Sequence, residues 1–417
     1  MQTHRRLKVL ATAIGVTVAL AVAFLLHAKR LMGGNISDSI ILFSSAAACL
    51  LLSRLVSVVK DRSNCPQPKQ QRQVSVVSTQ KDGLELSSSS GRFVKKSPVT
   101  NAFSIDLEDY FHTEVASKAV SFRDWDSMPS HLELTVPRLL DLLDEHDTKA
   151  TIFVLGWIAK KKPALVHEIA NRGHEVGCHS FQHRAVFRLD RVSFCEDTSA
   201  AKKAIEDATG VRVAGYRAPC FSITSGTEWA FDVLADLGFR YDSSINPVWH
   251  TFYGNSSAPR FPYYVADDRL LEIPIASWRL WGVNLPIGGG AYLRLLPYWY
   301  SAMGLRSMNS RECHPGTIYL HPWEIDHQQP LKLPVLSGIR QTWGTATMER
   351  KIKGLLGDFH FAPLAEVYSN LLVSEEADGA DSFLVHQESG ARCNVVSHLR
   401  GTEDVVAHRE SSTAVLG

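Results

Sequence analysis

The 417-residue chain has almost no net charge: 44 Lys and Arg against 43 Asp and Glu give a formal +1. Without a basic excess there is no electrostatic footprint for nucleic acid, and no such partner is expected. Paired cysteines are missing too. The seven present (Cys49, Cys65, Cys178, Cys195, Cys220, Cys313 and Cys393) are odd in number, and none stands in C-x-x-C spacing. That pattern is neither a disulfide framework nor a zinc finger. Reduced thiols, and with them a cytosol-facing domain, are expected. No internal repeat is visible. The run Gly288-Gly289-Gly290 lacks the Lys-Ser/Thr of a phosphate loop, so a flexible turn beside a site is expected there.

What is present begins with apolar residues at the N-terminus. Val9 to Leu26 is an unbroken apolar or small run, preceded by Arg5, Arg6 and Lys8. A second run starts at Ile40 and extends to Val59 if Arg54 reaches toward the headgroups. Residues 1–60 therefore read as a membrane helical hairpin, with spans at about 9–26 and 40–59. Basic residues flank the two outer ends more heavily than the loop, which places both termini in the cytoplasm of a bacterial inner membrane. A cleaved secretory signal followed by a short buried helix is the alternative. Residues 61–97 are polar, with Gln-rich and Ser-rich patches, and read as a disordered linker. A globular domain is expected over 98–370, and a polar, disordered tail over 371–417.

Within the globular part, strand and helix patterns alternate. Ala102–Leu107, Ala150–Leu155, Glu175–Cys178, Val213–Arg217 and Thr317–His321 read as strands. Leu132–His146, a segment opened by Pro163, Phe194–Thr209 before Gly210, and Thr227–Leu237 before Gly238 read as helices. This order predicts an α/β fold, a (β/α) barrel that is distorted or incomplete.

Polar residues gather just after these strands. The first strand leads to Asp106, Glu108 and Asp109, and the third to His179-Ser180-Phe181-Gln182-His183. Arg217-Ala218-Pro219-Cys220, Tyr241-Asp242 and Leu320-His321-Pro322-Trp323 follow later strands. Two histidines four apart, set one helical turn apart, can aim at one divalent metal. Each feature alone has a plainer reading: a carboxylate as a turn or cap, Arg217 as a salt-bridge partner, His321 as a satisfied core histidine. In a barrel, however, all these strand ends converge on one face.

The ordered set resembles the polysaccharide deacetylases of carbohydrate esterase family 4, the NodB-homology domain, over roughly Thr100 to Val367. Asp106 to His112, Tyr241 to Pro247 and Leu285 to Tyr298 look like a subgroup associated with bacterial exopolysaccharide loci. The resemblance implies a divalent metal, zinc foremost, on His179, His183 and one carboxylate. It implies Asp106 as general base, Arg217 as the residue orienting Asp106, His321 as general acid and Asp242 as the residue orienting His321. Cys220, where the family has an aromatic, and Trp323 fall at substrate-binding positions. The family's paired Asp residues are absent, so the carboxylate ligand is expected to be Asp109, with Glu108 as the alternative. Asp109 matches the usual residue type, and Glu108 shares a strand face with Asp106.

The implied activity is hydrolytic N-deacetylation of an N-acetylated sugar, in an exopolysaccharide or its lipid-linked precursor. Two other readings stand beside it. One is a metal-dependent hydrolase of a small or cyclic amide on the same fold. The other is a non-catalytic carbohydrate-binding membrane protein. Neither the sugar nor the oligomeric state follows from the sequence.

Overall fold

The computed structural model describes residues 98–250, 253–330 and 333–372. The expected membrane hairpin, the linker and nearly all of the tail lie outside these residues. Among the described residues, no helix is long and apolar enough to cross a membrane.

Eleven strands are described: β1 (Thr100–Leu107), β2 (Thr151–Val154), β3 (Glu175–Cys178), β4 (Gly215–Tyr216), β5 (Tyr241–Asp242), β6 (Tyr263–Val265), β7 (Leu270–Glu272), β8 (Ser277–Leu280), β9 (Val283–Pro286), β10 (Thr317–Leu320) and β11 (His360–Ala362). Nine form one sheet in the order β10-β1-β2-β3-β4-β5-β7-β6, with β11 also pairing β1. All pairings are parallel except β6 with β7. The separate β8–β9 hairpin is antiparallel. The short strands are buried along nearly their whole length, as expected of a parallel sheet covered on both faces.

The helices fill the crossovers. They are α1 (Leu132–Asp144), α2 (Gly156–Lys161), α3 (Pro163–Asn171), α4 (Arg191–Thr209), α5 (Ala230–Asp236), α6 (Ala291–Leu295), α7 (Tyr298–Ser307), α8 (Val335–Thr342), α9 (Thr345–Asp358) and α10 (Leu364–Val367). In α1, Leu132, Val136, Leu139, Leu140 and Leu143 recur at helical spacing and are all buried. Pro163 opens α3 where no intrahelical N–H is required. The Asp190 carboxylate caps α4 by accepting from the Ser193 N–H at 2.7 Å, and Gly210 ends that helix at φ 71°.

The sheet does not close by strand pairing, which agrees with an incomplete barrel. Irregular chain bridges the gap between β7 and β10. Ala276 N–H donates to Thr317 C=O at 3.0 Å, Tyr319 N–H to Gly288 C=O at 2.6 Å, and Gly290 N–H to Tyr319 C=O at 3.0 Å. The glycine run is therefore not a free turn beside the site. Gly289, at φ 126°, lies against the β10 backbone, and a Cβ on it would fall 1.7 Å from the Tyr319 carbonyl oxygen. A Gly289→Ala variant should lose on the order of 3 kcal/mol of stability, because backbone cannot move aside as a flexible side chain can. Gly357→Ala, in α9 with nothing within 4 Å, should be neutral or slightly stabilising. Urea midpoints of the two variants check this; equal midpoints would refute the close approach.

Cys178, Cys220 and Cys313 are free thiols.

Candidate active site

The polar residues at the carboxyl ends of β1, β3, β4 and β10 meet above the sheet. Asp106 is the penultimate residue of β1. Beyond the strand, Glu108 places its Oε1 2.9 Å from His183 Nε2 and 3.2 Å from His179 Nε2. These three side chains are almost fully buried, and their ligand atoms lie within 4.8 Å of one another. His179 Nδ1 sits 2.8 Å from the Arg217 carbonyl oxygen. A carbonyl can only accept, so Nδ1 carries the proton. In the neutral ring Nε2 then turns its lone pair toward Glu108, an arrangement that a cation between the two would satisfy. His183 Nε2 is likewise buried with no hydrogen-bond partner. A buried carboxylate with two imidazoles offering lone pairs is a donor set that fits a divalent metal.

The two histidines do not sit on a helical turn. The chain after β3 is an irregular loop, with left-handed backbone at Ser180 (φ 64°) and His183 (φ 53°). Its neighbours hold it in place. Ser180 Oγ accepts from the His183 N–H at 3.0 Å, Asp197 Oδ2 from the Phe181 N–H at 2.8 Å, and the Ser180 carbonyl from the Gly156 N–H at 2.9 Å. Convergence at i, i+4 comes from this pinned loop rather than from helical geometry.

Asp109, the carboxylate favoured on residue type, is not in the cluster. Its oxygens accept from the N–H groups of Tyr110 (3.0 Å) and His131 (2.9 Å), tying down the chain before α1. Alternation along the extended chain continues past Leu107, so Glu108 follows Asp106 to the cleft and Asp109 turns away. Burial raises the Asp109 pKa against these hydrogen bonds. Burial also works to raise that of Glu108, but the imidazoles of His183, His321 and His179 around it outweigh this and hold the carboxyl well below its usual range.

Arg217 is fully buried. Its NH1 donates to Asp106 Oδ1 at 2.7 Å and Ser104 Oγ at 2.8 Å, its NH2 to Ser243 Oγ at 2.9 Å, and its Nε to the Ser243 carbonyl at 3.0 Å. The guanidinium also lies 4.2 Å from the Phe153 ring centroid.

His321 Nε2 stands 3.9 Å from Asp106 Oδ2 and 3.7 Å from Glu108 Oε1. Burial acts to lower its pKa. The negative charges of Glu108, Glu324 and Asp106, with a hydrogen bond to Glu324, overcome this and raise it to about 9.

Asp242 does not touch His321. Its carboxylate takes the Ser244 hydroxyl at 2.6 Å and the Ser244 N–H at 3.1 Å, and it stands in register with Glu272 on β7. Burial raises the Asp242 carboxyl against its hydrogen bonds, and burial with the neighbouring Asp242 charge raises Glu272 well above its usual value. The group beside His321 is Glu324, which the sequence reading passed over. A signal for it existed: Glu three positions after the residue preceding a Pro-initiated turn is a capping pattern.

Cys220 and Phe221 both have left-handed backbone (φ 56° and 50°) at the cleft. Burial pushes the Cys220 thiol up. Trp323 is buried and stacks on His321 at 5.1 Å between centroids, supporting the imidazole rather than presenting an open face.

Residues 116–241 match the polysaccharide deacetylase family, and residues 243–369 match a domain of unknown function, DUF3473. The matched deacetylase segment contains His179, His183 and Arg217. Asp106 and Glu108 precede it, and His321 lies in the other segment. A peptidoglycan-N-acetylglucosamine deacetylase of Bacillus cereus is 37% identical over 129 residues, 28% of this chain and 46% of the relative. A chitooligosaccharide deacetylase of a Bradyrhizobium strain is 29% identical over 99 residues, 24% of this chain and 43% of the relative. The match therefore spans less than half the length of these relatives. A solved family 4 carbohydrate esterase from Streptomyces lividans, in complex with acetate, is 15% identical at a TM-score of 0.34, over 64% of this chain and 92% of that one.

Proposed function

We propose that the protein is a metal-dependent hydrolase that removes acetyl groups from the amino sugars of a glycan, a bacterial exopolysaccharide or its lipid-linked precursor. The observation that carries this is the buried Glu108–His179–His183 cluster, with Asp106 and the Nε2 of His321 beside it. The activities for which the relatives are named, on peptidoglycan and chitooligosaccharide, support an acetylated amino sugar as the substrate class. The exopolysaccharide reading rests on the sequence subgroup alone.

Glu108, His179 and His183 would hold a divalent cation, zinc foremost, which supplies Lewis acidity toward water and the acetyl carbonyl. Asp106 takes the proton of the attacking water. Arg217 holds it in place by binding its other oxygen. His321, charged at neutral pH, gives its Nε2 proton to the departing sugar nitrogen, so that an amine and acetate leave.

Acetate release from N-acetylglucosamine oligomers by the full chain in detergent tests the reading, with chelator and then added zinc. Release should require the metal and should fall by about 1000-fold in His179→Ala and in Asp106→Asn, within the range for losing a ligand or base. Release indifferent to chelation, or retained in both variants, would overturn it.

A further inference from the structure

We propose that Glu324, held in place by Arg294, is the residue that positions the acid His321, the part the resemblance gives to Asp242. The proposal rests on the deacetylase reading of the same site. Its ground is the way the two carboxylates are occupied.

Glu324 is fully buried and uses both oxygens. Oε2 accepts from the His321 backbone N–H at 3.1 Å and lies 3.2 Å from His321 Nδ1. Oε1 accepts from Arg294 Nε at 3.0 Å. Arg294 is itself buried and anchored elsewhere: NH1 donates to the Trp343 carbonyl at 2.5 Å and NH2 to the Arg340 carbonyl at 3.1 Å. A guanidinium held at three points cannot follow the carboxylate if that group swings, so the carboxylate stays where it is. It then fixes Nδ1 as a protonated nitrogen and turns Nε2 toward Asp106. Trp323 stacks on the imidazole and limits its tilt. Asp242, in contrast, spends its oxygens on Ser244 and faces Glu272.

The chain His321–Glu324–Arg294 runs into α6 and is anchored on α8 and the residue after it. It gives the DUF3473 segment a part in the chemistry: that segment supplies the acid together with the frame that aims it.

A glutamine at 324 cannot substitute. An amide has one acceptor oxygen, and this site asks for one toward His321 and another toward Arg294. The test uses the full chain with zinc and two substrates. An N-acetylglucosamine oligomer has an amine leaving group that must be protonated. 4-Nitrophenyl acetate has a phenolate that departs without a proton. Glu324→Gln should lower kcat on the oligomer by about 100-fold, the lower end for a lost general acid, with KM within a few-fold. It should leave the aryl ester within about threefold, since that substrate does not draw on the acid. Asp242→Asn should change both substrates in the same proportion. Equal loss on both substrates in Glu324→Gln, no loss on either, or an amide-selective loss in Asp242→Asn overturns the proposal.

A second measurement is independent of turnover. In ¹⁵N-labelled wild-type protein, a slowly exchanging downfield proton should correlate with Nδ1 of His321, and it should vanish in Glu324→Gln. Its absence from the wild type refutes the positioning role. Its presence in a protein inactive on both substrates refutes the deacetylase reading instead.

Discussion

Glu108→Ala should abolish stoichiometric zinc binding, while Asp109→Ala should retain it. Glu108 is the carboxylate that reaches both histidines, at 2.9 and 3.2 Å, and its removal leaves the two imidazoles without the anionic member of the cluster. Residues standing behind a ligand already change metal affinity by about 10–100-fold, so loss of the ligand itself should exceed ~100-fold. Acetate release should fall with it. Asp109→Ala removes two hydrogen bonds to backbone N–H groups and should act on the fold, by about 1–2 kcal/mol, with metal affinity changed only a few-fold. Isothermal titration with zinc and thermal unfolding of the chelated proteins separate the two effects. Tight zinc binding by Glu108→Ala, together with loss of binding in Asp109→Ala, would return the ligand to Asp109 and sink the geometry described above.

Arg217→Ala should be the most destabilising single substitution in the cleft. It leaves Asp106 buried without its cation, and it strips partners from Ser104 and Ser243 together. Breaking one side of a buried ion pair typically costs about 3–5 kcal/mol. Arg217→Lys restores the charge but not the fork. One ammonium cannot serve Asp106, Ser104 and both Ser243 acceptors, so stability should return in part and activity should stay low. Denaturant unfolding and acetate release, measured on both variants, give the comparison. An Arg217→Ala protein as stable as the wild type would mean that Asp106 is protonated in the fold and that its pairing contributes nothing.

Where the sequence was legible, the reason is local. β3 is bounded by the Gly173 turn and the polar loop after Cys178, so its limits show in the residues alone. α4 ends at Gly210 because only a residue tolerant of left-handed backbone can sit there. Which residues would gather was visible from strand order, since parallel strand ends share a face. Three features were not. The choice between Glu108 and Asp109 turns on whether extended alternation outlasts the last ladder residue, and residue type argued the other way. The His179–His183 pair has a spacing that suits a helix, yet the backbone reaches convergence through two left-handed residues held by Ser180 and Asp197. The partner of His321 was sought on a distant strand when it lay three residues on. The β8–β9 hairpin is set by pairing between two short segments of mixed pattern, which is tertiary information.

The seam between the two matched segments, at residues 241 and 243, passes through the Arg217 network. Arg217 belongs to one side, while Ser243, and Ser244 with its 2.8 Å bond from the Ala218 N–H, belong to the other. Exchange of these segments between distant relatives is therefore not modular. A crossover at this seam would hand the buried guanidinium a foreign set of acceptors and part Asp106 from His321 in a single cut. The two halves have to be inherited, or engineered, as one piece.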